Sequence, residues 1–317
     1  MSVLELRDVS VTYHRKHLPD VTAVAGVSLT VERGQIVGLV GESGCGKSTL
    51  GRAATGLLAP SAGEVLFEGE RVTPLGRAPR PARERRIQMV FQDPNSSLNG
   101  RRKVGDQIAD GLELAQQMPS KQRRARVDEL LELVGLDARA ADRYPHEFSG
   151  GQRQRICIAR ALSADPSVII ADEPISALDA SAQAQIANLL HDLAKDLDVG
   201  LLFISHDLAI VRHIADVVTV MYLGKVAEVG DTARVWDAPL HPYSEALIGA
   251  VLHADGEGEM PESLPGDVPD PADPPTGCRF QTRCPAVMDR CRTEEPPLAP
   301  VAGQPDGPHV ACWLHHA

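Results

Sequence analysis

Short runs of apolar residues, each followed by polar ones, recur through the middle of the chain. The runs are residues 36–40, 168–171 and 201–204, and they are apolar at successive rather than alternate positions. Such runs are typical of strands that are buried on both faces of a parallel sheet. Ligands bind these sheets at the carboxyl ends of the strands. We therefore expect an α/β fold whose site lies where the polar segments follow the three strands.

Two other segments have different patterns. Val127, Leu130 and Leu131 recur at helical spacing with charged residues between them, which predicts an amphipathic packing helix within a helical insertion at residues 99–147. Residues 255–277 are dense in proline, glycine and acidic residues, a composition typical of a linker or an extended segment. Four of the six cysteines follow this stretch, so the last part of the chain is expected to differ in kind from the rest.

Charge and hydropathy narrow the possible functions. The formal net charge is −11, so bulk attraction to nucleic acid or to anionic lipid is not expected, and we predict no nucleic-acid partner. No apolar run approaches the roughly 18 residues that span a bilayer, and the amino end lacks the pattern of a secretory signal. We therefore expect a cytosolic chain, and any membrane role would come through a partner.

The segment after the first strand, GESGCGKS at residues 41–48, fits the phosphate-loop pattern G-x-x-x-x-G-K-[ST]. Glycines let the backbone turn so that its N–H groups point at phosphate oxygens. Lys47 would then lie between the β- and γ-phosphates of a nucleoside triphosphate, and the Ser48 hydroxyl would bind Mg²⁺. The residues predicted to bind the nucleotide here are Gly41, Ser43, Gly44, Cys45, Gly46, Lys47, Ser48 and Thr49.

A carboxylate pair, Asp172-Glu173, follows the second strand. An acid at the end of such a strand would hold Mg²⁺ through water, and the next carboxylate can polarise a water for in-line attack on the γ-phosphate. The structural alternative for a lone Asp-Glu pair is a strand-end cap or a solvated turn. The apolar strand before the pair and Pro174 after it favour the catalytic interpretation, with Glu173 as the base.

The segment Phe148-Ser149-Gly150-Gly151-Gln152 resembles the signature of the ATP-binding cassette (ABC) family, in which two cassettes close face to face around ATP. The resemblance implies that Ser149, Gly150, Gly151 and Gln152 serve the γ-phosphate held by the phosphate loop of the other cassette. A helix that starts at about Gly151 would direct the positive end of its dipole at that phosphate. Phe148 stands where leucine is commoner and keeps an apolar side chain there.

Four further residues match the family one by one. The resemblance implies that Gln92 reaches Mg²⁺ and the attacking water, and that His206 contacts the γ-phosphate. It also implies that Asp179 lies in a loop at the interface of the two cassettes and that Tyr13 stacks on adenine. The implied catalytic residues are Glu173, His206 and Gln92, and the implied Mg²⁺ ligands are Ser48, Gln92 and Asp172.

The resemblance also implies a fold and an activity. The fold is an α/β P-loop NTPase (RecA-like) core with an antiparallel β subdomain, a helical signature subdomain and a small Cys-rich carboxy-terminal extension. The expected division is residues 1–98 and 148–235 for the nucleotide-binding core, 99–147 for the helical subdomain and 236–317 for the extension. The implied activity is ATP hydrolysis, in which ATP joins two cassettes, hydrolysis releases them, and the cycle drives another process.

Two segments are similar to the oligopeptide/dipeptide importer cassettes of the family. NSSLN at residues 95–99 resembles the region where a permease helix docks, with Gly100 where these cassettes commonly have proline, and HPYSEAL at residues 241–247 resembles the start of their carboxy-terminal extension. The resemblance implies an ATPase subunit on the cytoplasmic face of the cell membrane that powers peptide uptake. Its implied partners are a second, related cassette, two transmembrane permeases and an external solute-binding protein.

The extension contains Cys278, Cys284, Cys291 and Cys312, with spacings C-x5-C, C-x6-C and C-x20-C. In a cytosolic protein such a group more often binds metal than forms disulfides. Four thiolates suit an iron–sulfur cluster or structural zinc, and these gaps are wider than those usual in zinc sites. Importers of this subfamily hold a [4Fe–4S] cluster through such a tail, so a cluster is the implied cofactor beside ATP and Mg²⁺. Zinc and unligated cysteines are the alternatives.

Other functions stay open at this point. The same subfamily handles nickel chelates and oligosaccharides, and the solute is selected mainly by the permeases and the binding protein. A soluble ABC ATPase of DNA repair or translation usually has long coiled-coil insertions or two cassettes in one chain, and this sequence shows neither pattern. An exporter cassette normally comes with membrane spans and lacks this tail. Peptide import is therefore the leading prediction.

Overall fold

A computed structural model of the protein describes residues 2–116, 118–251, 266–301 and 307–316. One of its two sheets is antiparallel and is formed by strands from the first quarter of the chain. These strands are β1 Ser2–Tyr13, β2 Val21–Glu32, β4 Ala62–Phe67 and β5 Glu70–Arg71. Their order across the sheet is β2-β1-β4-β5, so the long hairpin of β1 and β2 forms one side of it.

The second sheet is the centre of the fold. Its strands are β3 Ile36–Val40, β6 Ile87–Val90, β7 Val168–Asp172, β8 Gly200–Ile204, β9 Val217–Tyr222, β10 Lys225–Asp231, β11 Ala299–Pro300 and β12 His309–Val310. They lie in the order β11-β12-β10-β9-β3-β8-β7-β6. The five strands from β9 to β6 are parallel, and the α/β prediction is confirmed. Strands β3, β7 and β8 are buried throughout, as their continuous apolar runs predict.

Ten α-helices occur in the described ranges. They are α1 Lys47–Ala54, α2 Pro94–Ser97, α3 Val104–Gln116, α4 Ser120–Leu133, α5 Gly150–Leu162, α6 Ala180–Asp196, α7 Leu208–Ile214, α8 Thr232–Asp237, α9 Pro242–Gly249 and α10 Asp289–Thr293. None of the described helices is long and apolar enough to cross a membrane.

Two hydrophobic clusters cover the two faces of the central sheet. Val37 and Leu39 of β3 belong to the cluster that contains the antiparallel sheet and α1. Ile36 and Val40 belong to the other cluster, which contains α5, α6 and the buried side chains of α3 and α4. Because successive residues of a strand point to opposite faces, β3 is held from both sides, and the loop that follows it starts from a fixed point.

The segment between β6 and β7 is helical, as its pattern predicts. Val127, Leu130 and Leu131 of α4 are at most 2% exposed and share a cluster with Ile108 and Leu112 of α3. Helix α5 begins at Gly150, one residue before the predicted start.

The carboxy-terminal extension returns to the edge of the central sheet. In β12, Val310 pairs with Glu228 of β10, and β11 adds one more short strand beyond it. Within the predicted linker, residues 266–277 contain no helix or strand, and residues 255–265 lie outside the described residues. The extension is therefore joined to the body by backbone hydrogen bonds as well as by side chains.

Candidate functional site

The phosphate loop connects β3 to α1 in a strained path that requires glycine. Gly46 has φ of 104°, and a Cβ atom there would lie 2.1 Å from the carbonyl oxygen of Ala23. The Lys47 side chain is buried, and its ammonium group donates to the carbonyl oxygens of Gly41, at 2.7 Å, and Glu42, at 2.9 Å. The loop therefore curls around a buried positive charge at the amino end of a helix, which is the arrangement that binds phosphates.

Two side chains with oxygen atoms, Ser48 and Asp172, face each other beside this loop. Ser48, at the start of α1, donates from Oγ to Oδ1 of Asp172, at the end of β7, over 2.7 Å. Burial raises the pKa of Asp172, which is 4% exposed. Burial makes the charged form of this carboxylate less stable, and a divalent cation beside it would stabilise that form. Hydroxyl and carboxylate oxygens are the ligands that Mg²⁺ prefers, so the two residues fit the metal predicted for them.

Two of the three predicted catalytic residues, Gln92 and His206, lie beside the same carboxylate oxygen of the third, Glu173. Gln92 follows β6, Glu173 follows β7 and His206 follows β8. Oε2 of Glu173 accepts from Nε2 of Gln92 at 3.0 Å and lies 3.3 Å from Nδ1 of His206. Three residues that are far apart in sequence are thus brought together by the carboxyl ends of adjacent parallel strands.

Glu173 has an uncommon backbone conformation. Its φ is 46°, in the left-handed region that non-glycine residues seldom adopt. Its N–H donates to the carbonyl oxygen of Ile204 at 3.0 Å, which fixes the turn. Its side chain is 17% exposed. Strain of this kind persists where the surroundings over-determine the conformation, and here it orients the carboxylate towards Gln92 and His206.

Tyr13 lies at the end of β1, close to the first helix. Its hydroxyl is 3.3 Å from Oγ1 of Thr49, and the residue is 38% exposed. An exposed aromatic ring beside a phosphate loop can stack on a base. Tyr13 thus lies on the same side of the fold as the loop, although the two are separated by about 30 residues of sequence.

The signature segment forms the start of α5. The Ser149 side chain accepts from the N–H of Gln152 at 3.3 Å, and Oε1 of Gln152 accepts from the N–H of Ser149 at 3.0 Å. This reciprocal pair is a capping box, and it fixes the amino end of the helix. Phe148 is 6% exposed and lies under the Arg143 guanidinium, 4.3 Å from its ring centre, so it acts as an apolar anchor.

The signature residues line a groove of about 300 Å³ together with the loop before α6. Gly150 lies against Leu178, and Asp179 caps α6 by accepting from the N–H of Ala182 at 2.9 Å. The residues that line this groove come from α5, α6 and the loop before α6 and include none of residues 41–48. The groove that the signature residues line is thus separate from the phosphate loop of the same chain.

The four cysteines of the extension line one small cavity, together with His241 and Phe280. All four are free thiols, and burial raises the pKa of Cys278 to about 11. Among the described residues, however, no group of three or more histidine, cysteine or acidic side chains is arranged to hold a metal ion. The thiols thus share a cavity without a ligating geometry, and the iron–sulfur site stays a prediction.

Sequence patterns did not reveal one feature of the phosphate loop, namely its contacts with the extension. Arg283 forms an ion pair with Glu42, and the hydroxyl of Tyr243 accepts from the Glu42 N–H. Tyr243 lies in the HPY segment and Arg283 precedes Cys284, but neither position indicates a contact with residue 42. Only the folded chain brings these residues together.

Comparisons with known proteins show which family this chain resembles. A family model described as ABC transporter matches residues 24–176, and one described as the carboxy-terminal region of oligopeptide/dipeptide transporters matches residues 227–291. An oligopeptide transport ATP-binding protein, AppF, of Bacillus subtilis is 46% identical and covers 99% of this chain and 98% of its own length. A di/tripeptide transport ATP-binding protein, DppF, of Pseudomonas aeruginosa is 44% identical over 100% of this chain and 98% of its own length.

Solved structures show the same fold. Clostridium perfringens cbiO1, part of an ABC transporter complex, matches with a TM-score of 0.66 and 30% identity, covering 75% of this chain and 91% of its own. The ATP-binding cassette MJ0796, solved as a dimer bound to ADP and Pi, matches with a TM-score of 0.64 and 27% identity, covering 72% and 98%. The fold and the phosphate-loop chemistry define an ABC ATPase.

The full-length likeness defines the type more narrowly. The chain belongs to the ABC transporter ATP-binding proteins of the oligopeptide/dipeptide type. Its enzymatic activity is that of this family, the hydrolysis of ATP.

Proposed function

We propose that this chain powers the uptake of di- or oligopeptides through partner permeases. The observation that supports this most strongly is the likeness over residues 227–291 to the carboxy-terminal region of oligopeptide/dipeptide transporters. Relatives that match over nearly the whole chain are named for oligopeptide and di/tripeptide transport. The chain would act from the cytoplasmic face of the membrane, with residues 1–98 and 148–235 as its nucleotide-binding core, 99–147 as the helical subdomain and 236–317 as the extension.

The proposed chemistry uses the residues that converge at the ends of β6, β7 and β8. Glu173 accepts a proton from the water that attacks the γ-phosphate, the bond to ADP breaks, and phosphate is released. Gln92 and His206 hold the Glu173 carboxylate, and Gln92 also reaches the water while His206 reaches the γ-phosphate. Lys47 and the N–H groups of the loop bind the phosphates, and Tyr13 stacks on adenine. Ser48, Asp172 and Gln92 would hold Mg²⁺, which neutralises charge on the phosphates when bound.

The proposed complex contains two cassettes. Because the signature groove and the phosphate loop of this chain lie in different places, Ser149, Gly150, Gly151 and Gln152 are proposed to serve ATP held by a second cassette, with Asp179 at the interface. The dimeric state of MJ0796 supports such an assembly for the fold. The partner cassette is proposed to be a related but different chain.

A second groove supports a permease partner. It has a volume of about 630 Å³ and is lined by Ser97 and Asn99 of the NSSLN segment. Four arginines and one aspartate also line it, and Arg102 pairs there with Asp110. The lining therefore keeps a net positive charge and would accept a helix with acidic residues. We propose that the cytoplasmic helix of a permease docks in this groove, and that an external binding protein delivers the peptide.

Loss of peptide uptake tests the proposed function. A strain that lacks this chain should lose uptake of labelled di- and oligopeptides, and the wild-type gene should restore that uptake. A gene with Lys47→Ala should not restore it, because the buried ammonium group in the phosphate loop is removed. Uptake of nickel chelates and of short oligosaccharides is measured in the same strains. Normal peptide uptake with loss of either other solute would overturn the peptide assignment.

We also propose that the cysteine cavity holds a [4Fe–4S] cluster that stabilises the extension. The support is the shared cavity of Cys278, Cys284, Cys291 and Cys312. Protein purified without oxygen should contain about four iron atoms per chain and absorb visible light, and Cys284→Ser should lose both. Cys157→Ser, at a buried cysteine in α5, is the matched control and should keep the iron. Colourless protein with stoichiometric zinc would contradict the iron assignment.

A further inference from the structure

Two side chains of the extension, Arg283 and Tyr243, contact the phosphate loop at Glu42. Nη1 and Nη2 of Arg283 lie 2.7 and 3.1 Å from the two carboxylate oxygens of Glu42, so the ion pair is bidentate. The Arg283 side chain is 4% exposed and that of Glu42 is 25% exposed. Hydrogen bonding to Glu42 raises the pKa of Arg283, which keeps its charge at any physiological pH. Paired forks of this kind fix geometry more tightly than a single contact does.

Tyr243 holds the backbone of the same residue. Its hydroxyl accepts from the Glu42 N–H at 2.9 Å, and the residue is completely buried. Its ring packs against Tyr222, with centres 4.7 Å apart, and against Phe280 of the extension, at 5.3 Å. Because the ring is enclosed on these sides, the hydroxyl has little freedom to leave Glu42.

The carbonyl oxygen, the third polar group of Glu42, is bonded to Lys47 of the phosphate loop. The Glu42 carbonyl oxygen accepts from Nζ of Lys47 at 2.9 Å. The N–H, the carboxylate and the carbonyl of one loop residue are therefore bonded to Tyr243, Arg283 and Lys47. A displacement of Glu42 would be passed directly to the lysine that binds phosphate.

The extension also reaches the loop from a second side. The guanidinium of Arg279 donates to the carbonyl oxygen of Leu223, in the turn between β9 and β10. The next residue, Gly224, donates from its N–H to the carbonyl oxygen of Cys45 at 2.9 Å. Both sides of the phosphate loop are thus connected to residues 279–283.

We infer that Arg283 and Tyr243 are positioning residues for nucleotide binding, through which the extension holds the phosphate loop in the shape that accepts phosphates. The inference rests on the assignment of residues 41–48 as the nucleotide site. A simpler role would be to anchor the extension to the body. A buried ion pair adds little net stability compared with apolar contacts, whereas it does fix one geometry, and the geometry fixed here is that of the loop.

Nucleotide affinity tests the inference in the purified full-length chain. Binding of MgADP, measured by calorimetry, avoids turnover and needs no partner cassette. Arg283→Gln and Glu42→Gln should each weaken binding about tenfold or more, because each breaks a charged hydrogen-bonded pair. The double variant should bind no more weakly than the worse single one, since both changes remove the same interaction. Arg283→Lys should recover part of the affinity, and Tyr243→Phe, which removes one oxygen, should weaken binding severalfold.

A matched control comes from the same extension. Arg290 is exposed, pairs with Glu294 at 2.9 Å and lies over the Trp313 ring. These contacts stay within the extension, so Arg290→Gln should bind MgADP as the wild type does. Melting temperatures are measured for every variant. Lower melting temperatures with unchanged affinity in Arg283→Gln and Tyr243→Phe would overturn the inference, because the contacts would then only anchor the extension. A wild-type chain that does not bind MgADP would instead overturn the nucleotide-site assignment itself.

Discussion

Replacing Glu173 with glutamine is expected to lower the ATPase rate by about 10²- to 10⁴-fold, the usual contribution of a general base. Glutamine keeps the size of the side chain and an oxygen that can accept from Gln92, so the local structure should remain. It cannot take a proton from water. ATP binding should therefore persist, and the protein should accumulate with ATP bound and the cassettes closed. Single-turnover hydrolysis and nucleotide occlusion by the purified assembly measure both effects.

His206→Ala provides a useful comparison for Glu173→Gln. His206 lies 3.3 Å from the same carboxylate oxygen but is 57% exposed, and we expect it to contact the γ-phosphate rather than accept the proton of the attacking water. Its loss should slow turnover without the same accumulation of the closed, ATP-bound form. Full ATPase activity in Glu173→Gln would show that another group is the base.

The second large effect is expected from a substitution in the signature. Gly150→Asp places a carboxylate at the first residue of α5, where it suits the helix dipole and should not unfold the protein. The same charge would repel the γ-phosphate of ATP that approaches from the partner cassette. Turnover by the assembly should fall by at least about 100-fold, as when a stabilising group of a transition state is removed. MgADP affinity of the isolated chain should stay at the wild-type value.

Gly150→Ala is the matched control for the charge. Its methyl group would lie about 3.3 Å from Leu178 Cδ2, a tight contact that a side chain can relieve. Its effect on turnover should be much smaller than that of aspartate. If Gly150→Asp weakened nucleotide binding to the isolated chain, the signature would serve the phosphate loop of its own chain, and the two-cassette account would be wrong.

Much of the fold could be predicted because three strands of the central sheet contain continuous apolar runs. Strands β3, β7 and β8 are buried on both faces, and the loop, the acidic pair and His206 follow them, so the sheet topology alone brings these residues together. The capping box of Ser149 and Gln152 is likewise local, since its residues are three apart.

Long-range side-chain contacts could not be predicted in the same way. The Glu42–Arg283 pair joins residues 241 positions apart, and no periodicity connects them. The pairing of β12 with β10 also joins distant residues. It could not be predicted, because a strand of two residues such as β12 has no recognisable pattern. The cysteine spacing predicts a shared site. It cannot predict whether the thiols adopt a ligating geometry, because that depends on how the cysteines pack against one another and against His241 and Phe280.

The extension and the signature thus have separable proposed roles. The contacts of the extension with Glu42 are inferred to affect nucleotide binding within one chain, whereas the signature is proposed to serve a second cassette. A loss of affinity in the isolated chain reports the first, and a loss of turnover at unchanged affinity reports the second. The variants proposed above therefore distinguish the two roles.

The most direct test of the central claim, that this chain is one of two cassettes under a membrane permease, is the composition of its native complex. The full-length chain is tagged, isolated from membranes in mild detergent and measured for subunit stoichiometry by mass spectrometry. We predict one copy of this chain, one related cassette and two multi-span permeases. A chain recovered alone, or in a stable soluble complex with nucleic acid, would contradict the account.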